Sequence, residues 1–287
     1  MKVTVVEVGP RDGLQNEKGA IATADKIAFV DKLSAAHLPV IEVSAFVSPK
    51  WVPQMADAAE VFAGIARRPG TRYTALVPNV AGLERARKAG VTEVAIFAAS
   101  SETFSRKNIN QTIDESFATY KDVCDRAIAA GMRVRGYLST AFGCPYEGAV
   151  AEATVAMLSA QLVDLGVFEV AVSDTIGIAK PADVPRVLDA VLAKLPAEKI
   201  ALHFHDTRGQ ALANVKAALP FGVRTFDASA GGLGGCPYAP GAPGNLATGA
   251  LVQMLDEMGI ETGVSLDALT QAASFVRARL AAPPSAA

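Results

Sequence analysis

Val3-Thr4-Val5-Val6-Glu7-Val8-Gly9-Pro10-Arg11-Asp12-Gly13 is the stretch on which the fold of this chain turns. It opens as an apolar, β-branched run of strand character. The glycine-rich turn that a dinucleotide-binding open sheet places after its first strand is absent here. The turn instead carries an arginine and an aspartate, which suits a (β/α)8 barrel, where the polar residues of the site gather at the carboxyl ends of the strands.

Beyond it, seven more apolar, strand-like runs occur at 40–43, 73–77, 93–97, 133–138, 169–172, 200–204 and 225–226. Amphipathic helical stretches lie between them at 24–36, 81–89, 113–130, 150–165, 181–194 and 210–219. Gly90, Gly131, Gly166 and Gly222 follow helices as C-cap candidates. Strand alternating with helix implies a parallel sheet, and eight such units imply closure as a TIM barrel. The doubly wound open sheet is the alternative that the Gly9–Gly13 turn disfavours. A glycine-rich segment and helices at 246–258 and 266–280 form a short C-terminal helical extension. With no linker in view, residues 1–287 read as a single catalytic domain, and 287 residues is close to the ~250 that a barrel needs.

A net charge of −2 gives no field that favours nucleic acid or an anionic membrane, so an anionic substrate must be met locally. No apolar run approaches the ~20 residues of a transmembrane helix, and the chain opens directly into a strand, so it is expected to be cytoplasmic. Three cysteines, Cys124, Cys144 and Cys236, lack metal-site spacing and read as reduced thiols.

The carboxyl ends of the expected strands carry a consistent set of polar residues. Arg11 and Asp12 follow the first strand, Glu42 ends the second and Asn79 follows the third. Arg135 lies within the fifth, with Ser139 and Thr140 at its end, and Asp174 follows the sixth. The seventh ends in His203-Phe204-His205-Asp206, which holds two of the three histidines. Side chains at i and i+2 of a strand point the same way, so these imidazoles converge as a divalent-metal half-site. So many ionisable groups from separate strands would be costly without a bound partner. A metal with an anionic substrate explains them together. The segment Gly231-Gly232-Leu233-Gly234-Gly235-Cys236-Pro237-Tyr238 has the backbone freedom of a loop that moves over a ligand. Cys236 sits at its centre as a polarizable acid/base, and Asn245 stands where a helix begins, able to offer an amide oxygen.

Five stretches together resemble the hydroxymethylglutaryl-CoA lyases: Gly9-Pro10-Arg11-Asp12-Gly13-Leu14-Gln15-Asn16-Glu17, Phe46-Val47-Ser48-Pro49-Lys50-Trp51-Val52-Pro53-Gln54-Met55, Gly143-Cys144-Pro145-Tyr146-Glu147-Gly148, Asp174-Thr175-Ile176-Gly177 and the 231–238 loop. The Arg-Asp-Gly and His-x-His-Asp elements are shared with related metal-dependent barrel synthases, whereas the Ser-Pro-Lys-Trp-Val-Pro-Gln segment and the Gly-Gly-Cys-Pro-Tyr loop resemble the lyase alone. The resemblance implies a TIM barrel that binds Mg²⁺ or Mn²⁺, takes an acyl-CoA substrate and pairs as a homodimer. It implies Asp12, His203, His205 and Asn245 as metal ligands and Arg11 facing the thioester carbonyl. It places Cys236 in proton transfer, and Glu42 and Asp174 close to the reacting groups. The reaction so implied is retro-Claisen cleavage of (S)-3-hydroxy-3-methylglutaryl-CoA to acetyl-CoA and acetoacetate, as in leucine breakdown and ketone-body formation.

The sequence departs from the family pattern at Val43-Ser44-Ala45, at Ala171-Val172-Ser173 and at Gly249, where many members carry an acidic residue. These changes border the substrate pocket, so a related 3-hydroxy-acyl-CoA is the alternative substrate. A condensing synthase and a barrel that has lost catalysis are the alternative functions. His37 reads as a surface or capping residue and Cys124 as core. Trp51 either lines the acyl or pantetheine path or packs its loop, Cys144 is structural or functional, and Lys50, Arg106 and Lys107 either meet CoA phosphates or solvate the surface.

Overall fold

The eight strands are β1 Thr4–Glu7, β2 Val40–Ala45, β3 Arg72–Leu76, β4 Glu93–Ala99, β5 Arg133–Ser139, β6 Val170–Asp174, β7 Ile200–Phe204 and β8 Thr225–Ala228. In the computed structural model, which describes residues 1–17, 19–235 and 244–281, they pair in chain order into a closed barrel. All neighbours are parallel, and β1 closes the ring on β8 from Thr4↔Thr225 to Glu7↔Ala228. Parallel strands buried on both faces are continuously apolar rather than alternating. Every residue of β2, β6 and β7 is accordingly buried.

The helices are α1 Thr23–Ala35, α2 Ala58–Gly64, α3 Val80–Lys88, α4 Glu102–Ile109, α5 Ile113–Ala129, α6 Glu152–Asp164, α7 Asp183–Leu192, α8 Ala211–Ala218, α9 Thr248–Glu257 and α10 Leu266–Ala281. They pack an apolar stripe onto the sheet, as α7 does with Val184, Val187, Leu188 and Val191. The four expected C-cap glycines all take positive φ. Two helices are not legible in the sequence. At seven residues α2 is under two full turns, and α4, Glu-Thr-Phe-Ser-Arg-Lys-Asn-Ile, has only Phe104 and Ile109 to mark an apolar period. The last strand also runs to Ala228, beyond the expected 225–226, and so brings Asp227 into the barrel.

Two close approaches shape the mouth of the barrel beside the β1–β8 seam. After β1 the chain makes a π-helical turn over Gly9–Gly13, with the Gly13 amide donating to the Val8 carbonyl at 3.1 Å. A Cβ on Gly13 would stand 2.8 Å from Ser229 Oγ and 2.9 Å from Leu233 Cβ, so only glycine lets this turn lie against the segment after β8. Glu7, to which the sequence pattern assigns no role, ties the same region together. Its Oε1 accepts from the amides of Gly9 and Ala230, each at 2.8 Å, and its Oε2 accepts from Thr248 Oγ1 at 2.7 Å.

Burial outweighs those three hydrogen bonds and pushes the Glu7 carboxyl up to about 7 from 4.5. A raised folded-state value means that the stability is fully present below 4.5 and is lost as pH rises through 7, a cost of about 3 kcal/mol. Glu7→Gln keeps the shape and, with its amide donating to Thr248 Oγ1, keeps the bonding. Its stability relative to wild type is therefore expected to improve by about 2–3 kcal/mol between pH 5 and pH 8. Urea midpoints at the two pH values check this, and a pH-independent difference would show that Glu7 stays ionised throughout.

Candidate active site

Three strand ends converge on one point. The π-helical turn after β1 presents Asp12. His203 lies on β7, and His205 stands just past it, bridged antiparallel to Asn245. Asn245 arrives on a short segment that docks between the ends of β7 and β8. There Leu246 N donates to Phe204 O at 3.1 Å, and Ser229 N donates to Leu246 O at 2.8 Å. Asp12, His203 and His205 each offer a ligand atom within 4.8 Å of the others. The two imidazole centroids are 5.1 Å apart, as same-face residues of a strand require. His205 Nε2 is 3.8 Å from Asp12 Oδ2, to which Asn245 Nδ2 donates at 2.9 Å.

This donor set fits a divalent cation. Asn245 Oδ1 is buried and has no hydrogen-bond partner among the described residues, an arrangement that costs about 1–3 kcal/mol in the absence of a ligand. Two imidazoles with carboxylate and amide oxygens suit a metal of intermediate hardness. Burial opposes ionisation of Asp12, but the Arg11 guanidinium and the two histidines outweigh it and hold the carboxyl well below its usual range. The oxygen is therefore anionic and ready to ligate.

Arg11 is fixed from two sides. Its Nε donates to Glu42 Oε2 at 2.6 Å, and its Nη1 donates to Asp12 Oδ1. Burial alone would lower the guanidinium's affinity for its proton, but Glu42 and Asp12 raise it, so Arg11 stays cationic. Glu42 is fully buried and also accepts from Tyr137 Oη at 3.2 Å. The Arg11 guanidinium lies 5.3 Å from the centroid of the Tyr137 ring. Glu42 thus acts on the site by aiming Arg11.

Behind the histidines lies a network that is only half legible in the sequence. Asp227 faces His203 across the β7–β8 pairing, with its Oδ2 at 3.2 Å from His203 Nδ1. Arg135 donates to both oxygens of Asp227, at 3.2 and 2.7 Å, and to Glu169 Oε2 at 2.8 Å. Arg135 stands out in the sequence as an ion within a strand. Asp227 and Glu169 do not, although Thr225 and Asp227 share a face under simple alternation.

Asp174, by contrast, has both oxygens engaged by backbone, Oδ1 accepting from Ile178 N and Oδ2 from Ala179 N, each at 3.0 Å. Burial raises its pKa despite these bonds, which shape the turn after β6. Asn79 caps α3 by accepting from Gly82 N at 3.0 Å, and it also borders the cavity at the barrel mouth. Cys236 lies outside the described residues. Cys124 is core, its thiol pushed by burial up to about 12. Cys144 is buried and structural, its Sγ accepting from Ser101 Oγ at 2.9 Å. His37 is exposed at the end of α1, away from the cavity.

Arg11, Asp12, His203 and His205 open into that cavity, which measures about 690 Å³ and is bordered also by Trp51 and Lys107. Lys50 and Arg106 are not among its lining residues. Trp51 is 87% exposed, so it does not pack its loop. Among the described residues no helix is long and apolar enough to cross a membrane.

A family model described as HMGL-like matches residues 2–276. The chain is 52% identical over 282 residues to hydroxymethylglutaryl-CoA lyase YngG of Bacillus subtilis, covering 98% of this chain and 94% of that protein. It is 52% identical over 279 residues to a Pseudomonas aeruginosa enzyme named 3-hydroxy-3-isohexenylglutaryl-CoA/hydroxy-methylglutaryl-CoA lyase, covering 97% and 93% of the two chains. The crystal structure of the HMG-CoA lyase from Brucella melitensis superposes with a TM-score of 0.95 at 52% identity, covering 96% of this chain and 98% of that one.

Proposed function

The chain belongs to the HMGL-like family, and on that footing we propose that it cleaves (S)-3-hydroxy-3-methylglutaryl-CoA to acetyl-CoA and acetoacetate. The observation that carries this reading is the convergence of Asp12, His203 and His205, with Asn245 bonded to Asp12, and of a carboxylate-clamped arginine on one cavity large enough for an acyl-CoA head. We propose Asp12, His203, His205 and Asn245 as the residues that would hold Mg²⁺ or Mn²⁺. When bound, such a cation draws charge from a substrate oxygen and eases loss of its proton near neutral pH.

The residues of the chain supply the rest. Cleavage breaks C2–C3 as the C3 hydroxyl gives up its proton to solvent in the cavity: the C3 oxygen becomes the ketone of acetoacetate, and the C2–C3 electron pair leaves on the enolate of acetyl-CoA. The negative charge of that enolate gathers on the thioester oxygen. Arg11, with Nε on Glu42 and Nη1 on Asp12, keeps its remaining N–H groups for that oxygen. Because its clamp is buried and already formed, little reorganisation is needed as the charge develops. In this proposal Cys236 gives the enolate carbon the proton that completes acetyl-CoA. His203 and Asp12 hold the reacting end of the substrate, and Asp174 accepts one backbone amide on each oxygen while standing close to it in the turn after β6.

Acetoacetate release from (S)-3-hydroxy-3-methylglutaryl-CoA tests the reading. Release is expected with Mg²⁺ or Mn²⁺, to be lost on EDTA treatment and to return when metal is restored. No release from folded, metal-loaded protein would overturn the substrate assignment. A second substrate is favoured by the apolar wall of the cavity, where Val47, Leu76, Phe97, Phe104 and Ile109 stand. A 3-hydroxy-glutaryl-CoA with a longer 3-alkyl group is then turned over alongside the methyl compound, and a comparison of kcat/KM for the two measures the preference.

A further inference from the structure

We infer that Asp227, held by Arg135, is a positioning residue that fixes the tautomer of His203 and so keeps its Nε2 free as a donor. The inference rests on the metal-site reading, and it concerns a relay that the ligand set does not include.

A neutral imidazole carries its proton on one nitrogen, and only the other has a lone pair to give. The partner of Nδ1 therefore decides whether Nε2 can ligate. In this barrel that partner is Asp227 Oδ2, 3.2 Å from His203 Nδ1, with both side chains buried. Arg135 donates to both oxygens of Asp227, the fork-to-fork pairing of a guanidinium with a carboxylate ion. An ionised carboxylate has no proton to donate, so Nδ1 must carry the proton and Nε2 the lone pair.

Arg135 makes the choice rigid. It takes the two oxygens of Asp227 at 2.7 and 3.2 Å, while Glu169 takes its Nε at 2.8 Å. A guanidinium 2% exposed and anchored at both ends cannot swing away, so neither can Asp227. The backbone adds register, since His203 and Asp227 are direct Cα partners across β7 and β8. This accounts for a buried Arg–Asp–Glu cluster beneath the site that core packing alone does not call for.

Asp227→Asn separates positioning from packing. The residue keeps its shape, and its amide oxygen keeps the shorter bond to Arg135. Its NH₂ then falls where Oδ2 was and donates to His203 Nδ1, which forces the proton onto Nε2. Asp227→Ala leaves a gap and strands Arg135, but it offers His203 no donor. A purely structural role predicts that Ala is the worse substitution by every measure. The tautomer role predicts a reversal, with Ala worse for thermal stability and Asn worse for metal affinity.

The measurements are Mn²⁺ dissociation constants from the electron paramagnetic resonance of free Mn²⁺, and ¹⁵N-histidine NMR of the metal-free protein, whose three histidines give a simple spectrum. Wild type is expected to show the Nδ1–H form of His203. Asp227→Asn is expected to show the Nε2–H form and to bind Mn²⁺ at least about 10–100-fold more weakly. An Nε2–H form in the wild type, or Mn²⁺ affinity in Asp227→Asn within twofold of wild type, would overturn the inference. If Asp227→Ala does not fold, the tautomers of wild type and Asp227→Asn still decide the matter. A folded wild type that binds no Mn²⁺ would instead sink the metal-site reading, and the NMR result would show which of the two had failed.

Discussion

Asp12→Asn is expected to lower acetoacetate release by roughly 10³-fold, at the upper end of what one preorganised charge supplies, while leaving the barrel folded. Asp12 stands where Arg11, Asn245 and His205 meet. Its Oδ1 accepts from Arg11, its Oδ2 accepts from Asn245 Nδ2 at 2.9 Å, and the same Oδ2 lies 3.8 Å from His205 Nε2. The amide isostere keeps the volume but removes the anion, so two ligation partners and the Arg11 clamp lose their electrostatic reason to converge. Mn²⁺ binding should fall with turnover, because the missing charge is the only formal anion among the four proposed donors. Turnover retained to within tenfold, with metal bound, would show that the histidines and Asn245 suffice and that Asp12 merely borders the site.

A smaller but distinct loss is expected at Arg11. Arg11→Lys should reduce kcat by about 10²-fold with little change in KM and should leave Mn²⁺ affinity within a few-fold of wild type. A lysine keeps the charge but not the fork. It cannot hold Glu42 and Asp12 at once and still direct further N–H groups at the thioester oxygen. The kcat–KM split is diagnostic, since an interaction made chiefly in the transition state is lost from kcat, whereas uniform substrate binding is lost from KM. A rise in KM alone would make Arg11 a substrate anchor. Removing the charge as well, in Arg11→Met, leaves Glu42 buried without its cation and should cost about 3 kcal/mol of stability in addition.

The parts of this molecule that are legible in its sequence are those set by local repetition. Eight apolar runs and the turn at Gly9–Gly13 are enough for the barrel, which closes as expected. The His203–His205 spacing implies a shared face because strand alternation is a local rule, and the structure brings Asp12 and Asn245 to the same point. Asp227 escapes such a reading because its meaning is non-local. Nothing within the sequence around Thr225–Ala228 announces a histidine one strand away, or an arginine that reaches it from β5. Glu7 escapes for a related reason, as an acid within an apolar strand whose partners, Ala230 and Thr248, lie at the other end of the chain. Asp174 shows the converse. Its position after a strand suggests chemistry, and the sequence gives no sign that two neighbouring amides also bond to it.

The seam between β1 and β8 also bears on the order in which this protein can be made. Asn245 and Asp12 are 233 residues apart in the chain, and Glu7 and Thr248 are 241 apart. Contacts of that span are among the slowest to form, and during synthesis they must wait until the last strand has left the ribosome. A nascent chain therefore carries the Arg11–Asp12 turn for almost the whole of translation with no site around it. On the proposed ligand set metal capture would be a late event that reports completion of the barrel, because chains that stop short of Asn245 lack one of the convergent donors. A cation on those proposed ligands would tie the turn after β1 to the end of β7 and the segment after β8, so metal-loaded protein should gain its stability where the barrel would otherwise open.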